Sequence, residues 1–232
     1  MMRSILLRLG TAAFVSIFAS TVLAQNSSTI IRSTVRGDPA AGKNLAKACD
    51  ACHGDQGMSP IDGFPNLAGQ NFNYLVKQLR EMRTAAKARA ENVTQAARAT
   101  GAFGQRNQRS NETMDAVVVE LVDVNIINLA AYYAGLKCTT QSNNAPEPPK
   151  IETRCQICHG KAGISRNRNI PNIAGQNKIY MTLQLQSYRE AAKTPSGSAA
   201  DGRSAPIMET QAASLAAIDA LSDYYSRLSC AK

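Results

Sequence analysis

The feature that most constrains this chain is a repeat. Cys49-Asp50-Ala51-Cys52-His53-Gly54 returns 106 positions later as Cys155-Gln156-Ile157-Cys158-His159-Gly160. The same displacement carries Phe64-Pro65-Asn66-Leu67-Ala68-Gly69-Gln70-Asn71 onto Ile170-Pro171-Asn172-Ile173-Ala174-Gly175-Gln176-Asn177, and matches Tyr74, Gln78, Leu79 and Arg83 to Tyr180, Gln184, Leu185 and Arg189. The register then slips, because more residues separate Arg83 from Met114 than separate Arg189 from Met208. Both halves close alike, with Tyr132-Tyr133 before Cys138 and Tyr224-Tyr225 before Cys230. Such a chain should fold as two similar units, at 25–138 and 151–232. Residues 139–150, with Asn143, Asn144, Pro146, Pro148 and Pro149, read as an extended linker.

The helix-forming stretches are 40–48, 74–90, 123–136, 179–192 and 214–228, and none reads as a strand, so the expected class is all-α. Each half is small for a self-supporting core, and the chain has no Trp and only 5% aromatic residues. A bound apolar group would supply the missing bulk. Arg3 and Arg8 flank the start of an apolar run at 9–23 that ends in Val22-Leu23-Ala24, which predicts a signal peptide over 1–24, cleaved near Ala24. Export places the mature chain in an oxidising compartment, the periplasm. The formal net charge of +9 falls to +7 without Arg3 and Arg8. For an exported chain that points to an anionic protein or to peripheral membrane association rather than to nucleic acid.

C-x-x-C-H is the attachment signature of c-type haem: two thiols one helical turn apart bond the macrocycle, and the adjacent His binds iron. Cys49, Cys52, Cys155 and Cys158 are therefore the candidate attachment residues, and His53 and His159, the only histidines, the candidate iron ligands. A thioredoxin-like pair would need a βαβ context, and zinc would need four converging ligands. An electron-transfer iron takes a sixth ligand, usually His or Met. Of Met58, Met82, Met114, Met181 and Met208, only Met114 and Met208 correspond between the halves, each seven residues before a Leu (Leu121, Leu215). Met82 and Met181 fall within helices and read as packing residues, while Met58 follows His53 too closely.

With these motifs the mature chain resembles the dihaem cytochrome c4 family, two fused class I cytochrome c domains each wrapped around a covalent haem. The resemblance implies two haem c groups, and carbonyls of Pro65 and Pro171 that accept hydrogen bonds from the axial histidines. It further implies an electron carrier of a respiratory chain rather than an enzyme, working between a quinol-oxidising cytochrome complex and a terminal oxidase. A cytochrome subunit of a flavocytochrome or of a sulfur-compound or alcohol dehydrogenase is a second reading, and a haem enzyme with an open or thiolate-ligated iron a third. Asp38 and Pro39 open a helix before the first motif, whereas Lys150-Ile151-Glu152-Thr153-Arg154 leaves room for about one turn before the second. The halves should therefore be unequal, with one haem facing each partner. Cys138 and Cys230 have no haem role, and in an oxidising compartment they are a disulfide candidate. The insertion 86–111, with Lys87, Arg89, Arg98, Arg106 and Arg109, reads as a solvated loop or frayed helix, or else as a docking patch for an acidic partner.

Overall fold

The first helix begins where its residues require. Asp38 is extended, its carboxylate accepts the Ala40 N–H at 2.8 Å, Pro39 fills the first turn, and α1 runs Pro39–Ala46. The structure is a computed structural model that describes residues 36–90, 111–139, 146–193 and 205–230. The signal-peptide expectation, residues 140–145 of the linker and residues 91–110 of the insertion lie outside the described residues. The first half continues with α2 (Asp50–His53), α3 (Phe72–Ala90), α4 (Glu112–Val118) and α5 (Asp123–Gly135). The second half contains α6 (Glu152–His159), α7 (Lys178–Ala191), α8 (Pro206–Ala213) and α9 (Ile218–Ser226). A short 3-10 turn follows each histidine, at Asp55–Gly57 and Lys161–Gly163. Among the described residues all regular structure is helical, as the all-α expectation requires.

In the first half α1 lies against α5, while α4 and α5 both pack on α3; in the second, α8 and α9 pack on α7. The α1–α5 crossing is close because Gly42 has no side chain: a Cβ there would run into the Asn128 backbone carbonyl and come within 2.8 Å of the Tyr132 Cβ. Leu75, Val76, Ile126, Leu129, Ala130 and Tyr133 form one buried cluster, and Met181, Tyr188, Leu221, Tyr224 and Tyr225 belong to another. Between the halves, Ala68 and Ala174 pack against Cys138 and Cys230, whose sulfurs meet in the arrangement of a disulfide with Cα atoms 5.5 Å apart.

Three departures from the sequence reading have local causes. Helices α4 and α8 were not expected. They are only two turns long, started by an Asn111 side chain that accepts the Met114 N–H and by Pro206 respectively. The helix expected from 214 begins instead at Ile218, because the chain turns after Ala213, where the Leu215 N–H reaches back to the Ala212 carbonyl. The start of the insertion, read as a solvated loop or frayed helix, is packed instead: α3 runs to Ala90 as the helical stretch 74–90 predicts, Ala86 and Ala88 are buried, and Arg89 pairs with Asp115 on α4 at 3.0 Å. Ahead of the second motif only Glu152–Arg154 are helical before Cys155, the truncated start that the sequence implied.

Filling the α1–α5 contact should be costly. Gly42→Val should destabilise the protein by about 1–3 kcal/mol through overpacking against backbone, read as a lower denaturant midpoint at unchanged slope. An unchanged midpoint would contradict the close packing described here.

Candidate functional site

Both histidines are held alike. His53 and His159 are buried, and each ring Nδ1 lies 2.9 Å from a proline carbonyl, that of Pro65 and of Pro171. A carbonyl only accepts, so Nδ1 carries the proton and donates, and Nε2 keeps its lone pair for a metal. Burial pushes the His159 pKa down, with the Pro171 carbonyl opposing, so this imidazole is neutral at neutral pH. The loops bearing these carbonyls are pinned at three points. The Gly57 carbonyl accepts the N–H groups of Leu67 and Ala68 at 2.8 and 3.1 Å, and Gly163 does the same for Ile173 and Ala174 at 2.9 and 3.2 Å. Gly69 and Gly175 donate to the carbonyls of Tyr133 and Tyr225 at 2.9 and 2.8 Å. The Ser59 and Ser165 hydroxyls donate to the carbonyls of Cys52 and Cys158 at 2.8 and 2.9 Å, tying each loop to its motif.

The thiols of Cys49, Cys52, Cys155 and Cys158 take part in no disulfide. Burial, above all, pushes the Cys49 and Cys155 thiols up in pKa, while the neighbouring Tyr133 and Tyr225 hydroxyls work the other way. A continuous cavity of about 640 Å³ is lined by residues of both halves, including Cys49, His53, Cys155, Cys158 and His159, with apolar walls such as Leu75, Leu79 and Leu185. Met114 and Met208 line it, as do Met82 and Met181. Met58 does not. It packs beside the inter-half cluster, its sulfur 3.9 Å from that of Cys138. Among the described residues no three His, Cys, Asp or Glu side chains converge as a metal cage. What converges instead is imidazole and thioether around an apolar space with thiols at its edge. This donor set fits a planar iron macrocycle and does not fit a bare zinc ion.

Several functional residues escaped the sequence reading. Arg83 donates to the Leu121 carbonyl at 2.8 Å and Arg189 to the Leu215 carbonyl at 3.3 Å, so each guanidinium braces the segment that follows the methionine. Their recurrence at the repeat spacing was the available signal. Glu152 is 1% exposed, accepts from the Tyr225 hydroxyl at 3.0 Å and stands near Cys155. The repeat places Ala46 at the corresponding position in the first half, so only the second half has this buried carboxyl.

Paired thiols one helical turn before a carbonyl-held histidine, twice over, around an apolar cavity offering methionine sulfur, define a c-type cytochrome with two haem sites. The cytochrome c family profile matches residues 39–137. Cytochrome c4 of Stutzerimonas stutzeri is 30% identical over 207 residues, covering 83% of this chain and 90% of that protein. The thiosulfate dehydrogenase electron acceptor of Stutzerimonas stutzeri strain A1501 is 32% identical over 154 residues, covering 64% of this chain and 66% of that protein. The crystal structure of reduced recombinant cytochrome c4 from Pseudomonas stutzeri matches with a TM-score of 0.62 at 27% identity, over 83% of this chain and 99% of that one. The chain belongs to the cytochrome c4 family. It is an electron carrier rather than an enzyme, and its prosthetic groups are two covalently bound haem c groups.

A buried negative charge favours the ferric state of a nearby haem. Glu152→Gln, which keeps an acceptor for Tyr225, should therefore raise the potential of the second haem by on the order of tens of millivolts. Potentiometric titration of parent and variant measures it, and a fall in that potential would contradict the role assigned to Glu152.

Proposed function

We propose that this chain is an exported, periplasmic electron carrier of a respiratory chain, its irons ligated by His53 with Met114 and by His159 with Met208. The observation that carries this reading is the matched pair of carbonyl-held histidines facing one cavity with methionines at corresponding positions. Met82 and Met181 face the same cavity but occupy places that do not correspond in the repeat. The braces from Arg83 and Arg189 support the choice, since each steadies the chain seven residues beyond the proposed ligand.

When bound, each haem supplies an iron that cycles between ferrous and ferric. The histidines present a basic Nε2 in a fixed orientation, and methionine sulfur favours the ferrous state and raises the potential. With His53 and Met114 holding one iron and His159 and Met208 the other, neither would be left open to substrate. Cys49, Cys52, Cys155 and Cys158 hold the two groups covalently, so the carrier keeps them while partners come and go. The units run 25–138 and 151–232 with a linker at 139–150, after removal of 1–24. A disulfide between Cys138 and Cys230 fixes the far ends of both units together. Among the described residues no helix is long and apolar enough to cross a membrane.

The partners are redox proteins, and the two faces suit different ones. Ile157 and Ile207 stand exposed beside the second site, near Arg154 and Lys161, where the first half has Ala51 and Thr113 near Asp50 and Asp55. In the first reading the donor is a quinol-oxidising cytochrome complex and the acceptor a terminal oxidase. A second reading, in which a sulfur-compound dehydrogenase is the donor, is favoured by the likeness to a thiosulfate dehydrogenase electron acceptor. Fast reduction of the purified holoprotein by such a dehydrogenase supports the second reading, and reduction by the quinol-oxidising complex alone supports the first.

The ligand assignment has a direct spectroscopic check. Met114→Ala and Met208→Ala should each remove about half of the near-infrared sulfur-to-iron band of the ferric holoprotein, while Met82→Leu and Met181→Leu keep it whole. Loss of the band in either leucine variant, with retention in the alanine variants, would overturn the assignment.

A further inference from the structure

The peptide between Pro65 and Asn66 is used at both ends. Its carbonyl accepts the His53 Nδ1–H at 2.9 Å, and its N–H donates to Oε1 of Gln176, from the other half, at 2.7 Å. The peptide between Pro171 and Asn172 repeats this in reverse: its carbonyl accepts from His159 at 2.9 Å, and its N–H donates to Oε1 of Gln70 at 2.8 Å. Each glutamine closes a second bond on its target, Gln176 Nε2 to the Asn66 carbonyl at 3.0 Å and Gln70 Nε2 to the Asn172 carbonyl at 2.9 Å. Both side chains are buried, Gln70 at 6% and Gln176 at 9% exposed.

An interface needs hydrogen bonds, but it does not need them on these two amide groups. An acceptor on a peptide N–H shifts electron density toward that peptide's carbonyl oxygen, so hydrogen bonds at the two ends of one amide strengthen each other. A stronger acceptor on Nδ1–H makes Nε2 a more basic ligand, as partners behind a metal-bound histidine do. A more basic imidazole stabilises ferric over ferrous iron. No proton changes owner at any point, since Nδ1, the peptide nitrogen and Nε2 of glutamine all keep their hydrogens.

We propose that Gln176 is a positioning residue for the first half's histidine and Gln70 for the second half's, so that each half lowers the redox potential of the haem in the other. The inference rests on the reading of His53 and His159 as iron ligands. It also gives a reason for two haems on one tightly closed chain: a disturbance of one half's loop reaches the other half's iron through a single peptide unit.

The test is crosswise. Gln176→Leu and Gln70→Leu are made in the holoprotein, and each haem's potential is followed by redox titration alongside its histidine Nδ1–H resonance in paramagnetic NMR spectra. Met114→Ala and Met208→Ala identify which signals belong to which haem. Gln176→Leu is expected to raise the potential of the first haem and move the His53 resonance, leaving the second haem less changed; Gln70→Leu does the converse. The expected size is a twofold to tenfold change in the ferric-to-ferrous ratio at fixed applied potential, the upper end being about 59 mV for a one-electron couple. A purely structural role moves both potentials together, or that of the haem in the mutated half, and either result overturns the proposal. Should Gln176→Leu fail to accumulate, Gln176→Glu retains the acceptor, loses the Nε2 donor and adds a carboxylate whose charge strengthens that acceptor and favours ferric iron. It should then lower the first potential, and an unchanged or raised potential would overturn the proposal. If the parent shows no iron-shifted imidazole Nδ1–H signals, the ligand reading falls as well, which separates that failure from failure of the crosswise effect alone.

Discussion

A proline carbonyl 2.9 Å from a buried imidazole nitrogen leaves that ring one tautomer and one orientation, and most of the described structure serves to keep that carbonyl in place. The glycine carbonyls of the 3-10 turns hold the loop from one side, and the tyrosine carbonyls of α5 and α9 hold it from another. The hydroxyls of Tyr133 and Tyr225, the second tyrosine of each pair, also stand close enough to the first cysteine of the motif to act on its thiol. The helix that buries the core, the loop that orients the ligand and the turn that presents the thiol are thus parts of one hydrogen-bonded unit, built twice. Gly54 and Gly160 allow the chain to leave the motif toward that loop: both have positive φ, and the carbonyls of Met58 and Ile164 occupy the space a side chain would need.

The cavity explains the composition. A half of roughly 100 residues without tryptophan and with few other aromatic side chains has little large apolar bulk for its interior. The buried clusters line the walls of a space of about 640 Å³ rather than closing it. Haem held in this space would complete these cores, and cofactor attachment would then contribute to folding as it does in other proteins whose core includes a bound group. The disulfide arrangement and the reciprocal amides lie together between the halves, leaving the cavity walls to the apolar residues.

What the sequence disclosed was mostly what recurs at the 106-residue spacing. The motif cysteines and histidines, the prolines and the long helices α3, α5 and α7 were legible because spacing and helical pattern carry them. The recurrence of Asn66, Gln70 and Arg83 was equally visible, but a repeat does not say which half a side chain reaches. Gln70 and Gln176 bond across, while Arg83 and Arg189 bond within their own halves. Helices α4 and α8 were missed because two turns leave little periodicity, and their starts depend on one capping side chain or one proline. Glu152 was illegible because a lone acidic residue in a helix normally faces water; only the packing of Tyr225 over it places it inside.

The halves share one plan but not one environment, since a leading helix flanks the first motif and a buried carboxyl the second. Such a carrier should hold two electrons in two distinguishable places. An equilibrium redox titration of the holoprotein, followed by its visible and magnetic spectra, tests this most directly. Two one-electron waves of different potential are expected, with both irons low-spin in both oxidation states. A single one-electron wave, or a high-spin iron in either state, would contradict this.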